Sequence, residues 1–124
     1  MIFVGNDLVE VDRIQALMER WSDRFLVRIF TRDEITYCQR QVRPALHFAG
    51  RFAAKEAVKK ALYSAGQLEP VLFRQIQLDR DPYGAPLVHL TGVDGRLQVS
   101  ISHTTHYAVA TAVLLRGNPS GESW

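Results

Sequence analysis

Asp7, Glu56, Lys60, Arg51 and His103 are the residues of this sequence best suited to act on a phosphate. Glu56 lies within Gly50-Arg-Phe-Ala-Ala-Lys-Glu-Ala-Val-Lys-Lys-Ala-Leu62, which reads as one helix. At helical spacing Leu46, Ala49, Phe52, Ala53 and Ala57 form an apolar stripe, with Arg51, Lys55 and Lys59 as a separate basic stripe. Glu56 falls inside the apolar stripe, one turn after Phe52. A carboxylate on a packing face has to be paired or bind a cation. Two readings are open: an ion pair with Lys60 one turn later, or a metal ligand. Asp7 also has two readings, as the cap of a following helix or as a side chain aimed into a site by a strand end. His103, beside hydroxyls just past a strand end, is either a phosphate or acid/base residue or a turn histidine bonded to backbone. Two carboxylates suit a magnesium ion, which prefers oxygen ligands and keeps positions open for water and phosphate. Lys60, Arg51 and His103 would add positive charge for a phosphorylated substrate. The residues alone lead as far as magnesium-dependent phosphate chemistry.

The elements around these residues can be read from the pattern. Met1-Ile-Phe-Val4 is a short β-prone run stopped by Gly5. Val9 to Trp21 has helical spacing, and Ser22-Asp23 breaks or restarts the helix before Phe25, Leu26, Ile29 and Phe30. Thr31-Arg-Asp-Glu34 is a capping box that predicts a helix from about Arg32 to Arg40, with Tyr37 and Cys38 packed inside. Pro44 suits the first position of the long helix, and Gly66 its C-terminal stop. Beyond Gly66 the chain reads as antiparallel β: a strand around Ile76 and Leu78, a turn at Asp81-Pro-Tyr-Gly84, then strands Leu87 to Leu90, Leu97 to Ser102 and Tyr107 to Leu115. The last is apolar except at Thr111, so both its faces are expected to be covered, one by the long helix, with another subunit as a candidate for the other. The predicted fold class is α+β, with one long central helix and shorter helices on a mostly antiparallel sheet.

At 124 residues the chain suits one domain, expected over 1–115, with a flexible Gly-, Pro- and Ser-containing tail at 116–124. A net charge of +2 gives no reason to expect nucleic-acid binding. The charge is unevenly spread, because Arg13, Arg20, Arg24, Arg28, Arg32, Arg40 and Arg43 share one segment that holds no lysine. That segment is either a solvated surface or a cationic face for an acidic partner. One cysteine, Cys38, excludes an internal disulfide and fits a reducing cytosol. Asp7 and Glu10 interrupt any secretory hydrophobic region, and no apolar run has the length of a membrane span. A cytoplasmic protein with no membrane contact is expected.

In order, Gly5-Asn-Asp7-Leu-Val-Glu10 with Arg13-Ile14, Phe30-Thr-Arg-Asp-Glu34 with Tyr37-Cys38, Gly50-Arg-Phe-Ala-Ala-Lys-Glu-Ala57 with Lys60-Ala-Leu62, Asp81, Gly84 and Pro86, and Ser100-Ile-Ser-His103-Thr resemble the holo-[acyl-carrier-protein] synthase family. This is the small, single-domain class of 4′-phosphopantetheinyl transferases, and the resemblance runs from about Met1 to Leu115. It implies transfer of the 4′-phosphopantetheine arm from coenzyme A to a serine of an apo acyl carrier protein, releasing adenosine 3′,5′-bisphosphate. By resemblance, Asp7 and Glu56 match magnesium ligands and Lys60 a lysine near the pyrophosphate, the three forming the catalytic set. Arg51, Lys60, Pro86 and His103 match positions that bind coenzyme A. Arg13, Arg20, Arg24 and Arg28 fall on the helix that meets the acidic carrier. The family's homotrimer, with active sites between subunits, would account for the apolar last strand. Tyr63-Ser64-Ala65 replaces the usual Gly-Thr-Gly, so the loop over the coenzyme is expected to differ in shape, and His106 stands where an acidic residue is common. Two rival readings use the same residues: a noncatalytic relative that holds a carrier protein or nucleotide, and a small metal-dependent nucleotide hydrolase.

Overall fold

The computed structural model describes residues 1–117. The first strand, β1 (Ile2–Glu10), leads directly into α1 (Val11–Trp21). Ser22 turns the chain with a positive φ of 50° into α2 (Asp23–Ile29). Next come α3 (Arg32–Gln39) and the central helix α4 (Pro44–Ser64). After one 3₁₀ turn (Phe73–Gln75) come β2 (Gln77–Arg80), β3 (Pro86–His89), β4 (Arg96–His103) and β5 (Tyr107–Leu115). The strands make a three-stranded antiparallel sheet in the order β1-β5-β4 and a separate β2-β3 hairpin.

The central helix packs on one face of the larger sheet through small side chains. Ala53, Ala54, Ala57 and Ala61 of α4 are fully buried, as are Ala108 and Ala112 of β5. Gly5 carries the closest approach: a Cβ there would lie 1.9 Å from the Ala57 carbonyl oxygen. Gly5 therefore does not end the first strand, as the sequence pattern had predicted. It sits mid-strand opposite Ala112, and β1 runs five residues further.

That extension changes two assignments. Asp7 does not cap a helix; it pairs across the sheet with Ala110. Val9 belongs to β1 rather than to the helix, which starts at Val11 without a side-chain cap. The capping box at Thr31 and Glu34 is present as expected, with both reciprocal bonds formed. Pro44 occupies the first turn of α4. Two residues of the basic stripe of α4 are buried, Arg51 at 9% and Lys55 at 0% exposed, whereas Lys59 is half-buried. Only alternate residues of β5 are buried. Ala108, Ala110, Ala112 and Leu114 face α4, whereas the other face of the sheet carries Ile2, Val4 and Leu8, all more than half exposed. Within one chain, then, β5 is covered on one side only. Arg116, read as the first tail residue, exchanges backbone hydrogen bonds with Met1 and donates through its side chain to the Asp94 and Ala65 carbonyls. The rest of the expected tail from 118 lies outside the described residues.

Candidate active site

The extended β1 decides where Asp7 points. Side chains alternate along a strand, so Asp7 shares a face with Gly5 and Val9, the face turned to α4. Glu56 of α4 lines the same cavity of about 340 Å³, together with Glu10, Arg13, Leu17 and Phe52. Lys60, one turn past Glu56, does not pair with it. Its ammonium donates to Asp7 Oδ1 at 3.1 Å and to the Asn6 carbonyl at 2.9 Å. The ion pair read as the alternative role of Glu56 is therefore absent, and among the described residues Glu56 has no salt-bridge partner. The Lys60 side chain stays 52% exposed while the Asp7 carboxylate is 16% exposed. The arrangement is a recessed acidic pair with an exposed cation at its mouth.

The donor set fits magnesium. Asp7 and Glu56 supply hard carboxylate oxygens, and no third His, Cys, Asp or Glu among the described residues completes an all-protein cage with them. Magnesium is commonly held in this way, by one or two carboxylates with water and substrate phosphates filling the remaining positions.

A second cavity, of about 220 Å³, is cationic and lies on another side of α4. Tyr37, His47, Arg51, Arg80, Pro86 and His103 line it. Five residues separate Arg51 from Glu56, about 140° around a helix, so the two side chains serve different faces. The Tyr37 ring carries two guanidinium groups, Arg51 at 4.3 Å and Arg80 at 4.0 Å. His47 meets Tyr37 edge-on, and its ring lies 6.4 Å from that of His103. Burial, then the charge of Arg51, then His103 and Arg80, push the His47 imidazolium below its usual range. Arg51 Nε is buried without a hydrogen-bond partner among the described residues. A buried donor left unpaired in a cationic pocket favours an anionic ligand.

The predicted residues therefore divide into two groups. Asp7, Glu56 and Lys60 form the acidic site, and Arg51, Pro86 and His103 form the cationic one. His103 is the last residue of β4, not a turn residue beyond it. His47 and Arg80 were missed by sequence reasoning, and Tyr37 was assigned only to packing. His47 carried a usable signal, since it sits one helical turn before Arg51. Arg80 carried none, because only the hairpin brings it across Tyr37. Lys55 was read only as part of a basic stripe and Glu34 only as a cap, yet they form a buried ion pair at 2.8 Å. Burial pushes the Lys55 ammonium down, and Glu34 opposes that shift. Cys38 is buried, and its thiol is pushed up to about 11, in keeping with a packing role.

Arg13, Arg20, Arg24 and Arg28 are all exposed on α1 and α2. Arg24 and Arg28 border a surface cavity of about 580 Å³ with Leu17, Trp21, Phe25 and Val27. Arg20 stacks over Trp21 at 5.0 Å. Arg13 lines the acidic cavity itself and so links this surface to Asp7 and Glu56. In the segment that departs from the usual loop, Ser64 still belongs to α4, and the Tyr63 hydroxyl accepts a hydrogen bond from the Val71 amide.

The profile of the 4′-phosphopantetheinyl transferase superfamily matches residues 3–112. A holo-[acyl-carrier-protein] synthase of Protochlamydia amoebophila is 43% identical over 116 residues, covering 89% of this chain and 94% of that relative. The coenzyme A complex of a Helicobacter pylori holo-[acyl-carrier-protein] synthase superposes with a TM-score of 0.80 at 32% identity, over 90% of this chain and 99% of that one. The ACPS-CoA complex from Chronobacterium ammoniagenes gives 0.82 at 30% identity, over 95% and 99%. The α+β fold is thus that of phosphopantetheinyl transferases, and the chain belongs to the 4′-phosphopantetheinyl transferase superfamily.

Proposed function

We propose that this protein transfers the 4′-phosphopantetheine arm of coenzyme A to a serine of an apo acyl carrier protein, giving holo-carrier and adenosine 3′,5′-bisphosphate. The observation that carries the reading is the pair of complementary cavities on α4, one acidic around Asp7 and Glu56, one cationic around Arg51 and His103. Coenzyme A needs both kinds of site, since it joins a pyrophosphate to a separate ribose phosphate. Relatives bearing the same fold are coenzyme A complexes.

In this reading the cationic cavity holds the nucleotide end. Arg51, Arg80 and His103 face its phosphate charge, and Pro86 of the hairpin forms part of the wall. Asp7 and Glu56 would hold magnesium, which when bound neutralises pyrophosphate charge and stabilises the leaving bisphosphate. Lys60, exposed and hydrogen-bonded to Asp7 and the Asn6 carbonyl, would add positive charge for the pyrophosphate. The serine oxygen forms a bond to the pantetheine phosphorus, and the phosphorus–oxygen bond to the nucleotide breaks. The protein acts by positioning and charge neutralisation more than by covalent help. Carboxylate oxygens beside the reacting phosphorus, or water ordered by them, are the acceptors for the serine proton.

The arginine surface of α1 and α2 is proposed to bind the acidic carrier, with Arg13 leading from it to the acidic cavity. A single domain over 1–115 is proposed to form a homotrimer with active sites between subunits. The exposed Ile2, Val4 and Leu8 on the face of the sheet away from α4 support assembly. So does the separation of the two cavities within one chain, because a neighbouring copy can bring its cationic cavity to the acidic one. No helix among the described residues is long and apolar enough to cross a membrane; with one unpaired cysteine, a cytoplasmic location is proposed. The test is release of adenosine 3′,5′-bisphosphate from coenzyme A with and without apo-carrier. Release that depends on carrier and magnesium supports transfer. Equal release without carrier would make the protein a hydrolase, and none with any carrier would make it a binding relative.

A further inference from the structure

The Lys55–Glu34 pair lies beside the residues of the cationic cavity, since Glu34 borders a neighbouring cavity of about 340 Å³ with Tyr37, Arg51, Leu78 and Arg80, and the phosphate chemistry uses neither residue. Their side chains are 0% and 1% exposed. Glu34 Oε1 accepts from Lys55 Nζ at 2.8 Å and from the Thr31 amide at 2.7 Å. Glu34 Oε2 accepts from the Leu78 amide of β2 at 2.9 Å. Lys55 also donates to the Phe73 carbonyl at 3.0 Å. One buried pair thus joins the N-terminus of α3, the middle of α4, the 3₁₀ turn and the β2-β3 hairpin.

We propose that Glu34 and Lys55 are positioning residues: they hold the β2-β3 hairpin against α3 and α4 and so set the geometry of the cationic cavity. The β2-β3 hairpin has only two strands, and such a hairpin is marginal without support from neighbouring structure. Leu78 is 5% exposed, and its amide is held by Glu34. Two residues further on, Arg80 stacks on Tyr37. Tyr37 lies one turn after Glu34 on α3, and Arg51 lies one turn before Lys55 on α4. The ion pair and the Tyr37–Arg51 stack are therefore successive rungs between the same two helices, with Arg80 brought to the second rung by the hairpin.

General energetics favour position over stability as the contribution of the pair. A buried ion pair is often no more stabilising than an apolar pair of equal volume. An apolar pair, though, would take away the Glu34 acceptors of the Thr31 and Leu78 amides. An amide in place of the Glu34 carboxylate has only one acceptor oxygen, and the Thr31 and Leu78 amides use different oxygens. Glu34→Gln must release the helix cap or the hairpin.

The inference rests on the reading that the cationic cavity takes coenzyme A. The test uses the double variant Glu34→Gln, Lys55→Met, which leaves no unpaired charge, beside Glu34→Gln alone. Amide exchange of the 77–89 segment is measured in the free protein, coenzyme A affinity by calorimetry, and turnover at saturating coenzyme A. Exchange at least tenfold faster in 77–89, coenzyme A bound at least tenfold more weakly, and kcat within threefold of the parent are expected, with KM for carrier unchanged. Unchanged exchange would overturn the clamp, and faster exchange with unchanged coenzyme A affinity would overturn its positioning role. A loss of kcat with both affinities, or failure of both variants to fold, would make the pair a purely structural element. If the parent protein binds no coenzyme A, the functional reading fails while the exchange result still decides whether the hairpin is held by Glu34.

Discussion

Asp7 and Glu56 are proposed as the metal-holding pair because each is placed on a face where a lone carboxylate is out of keeping. Asp7 faces the helix side of a strand whose neighbours on that face are Gly5 and Val9, and Glu56 meets it across the cavity. Asp7→Asn and Glu56→Gln are each expected to lower kcat/KM by about 10²–10³-fold or more, as loss of a transition-state charge contact does. Both variants should keep the parent's melting temperature to within a few degrees; a scan and a transfer assay check the two halves. His47 gives a pH prediction. Its value is lowered in the fold, so the neutral form is favoured, and the stability this gives is present above the ordinary value near 6.5 and lost as pH falls through the folded one. Burial is the largest cause of that lowering, and a phosphate entering beside Arg51 offsets the smaller part that comes from the Arg51, His103 and Arg80 charges. Coenzyme A binding should therefore take up a proton between the lowered and ordinary values. Calorimetry in buffers of different ionisation enthalpy measures this, and no buffer dependence would remove His47 from the binding site.

At the scale of elements, strongly patterned segments were legible in the sequence. The Thr31–Glu34 capping box, Pro44 at the start of the long helix and the antiparallel run after Gly66 appear as read. The end of β1 was not legible, because Gly5 looks like a turn residue when it is a contact residue. Its role depends on Ala57, far along the chain, so no local rule could reveal it. Gly5→Ala drives a methyl group into the α4 backbone and should destabilise the fold by about 1–3 kcal/mol or more, seen as a lowered denaturant midpoint. The cationic cavity was half legible: Arg51, Pro86 and His103 were named, but the Tyr37 stack that unites Arg51 with Arg80 arises from three separate elements. The α1-α2 surface makes its own prediction. Reversing Arg13 and Arg24 to Glu should weaken carrier binding by about tenfold or more and flatten its salt dependence, leaving coenzyme A binding unchanged. Unchanged carrier binding would make those arginines a solvated face.

At the scale of the whole molecule, one chain places its acidic and cationic cavities on different sides of α4 and leaves an apolar sheet face open. Both features are explained together if copies associate through that face. Light scattering should then give three chain masses for the parent, and Val4→Glu, in the exposed patch, should give folded monomers with little transfer activity. A monomeric parent would contradict the assembly, leaving each chain to complete its site alone. The proposed transfer is tested by the intact mass of an apo acyl carrier protein after incubation with this protein, coenzyme A and magnesium. A gain of one phosphopantetheine arm, abolished by chelator and by Asp7→Asn, is expected. A folded protein that leaves several apo-carriers unchanged in mass would contradict it.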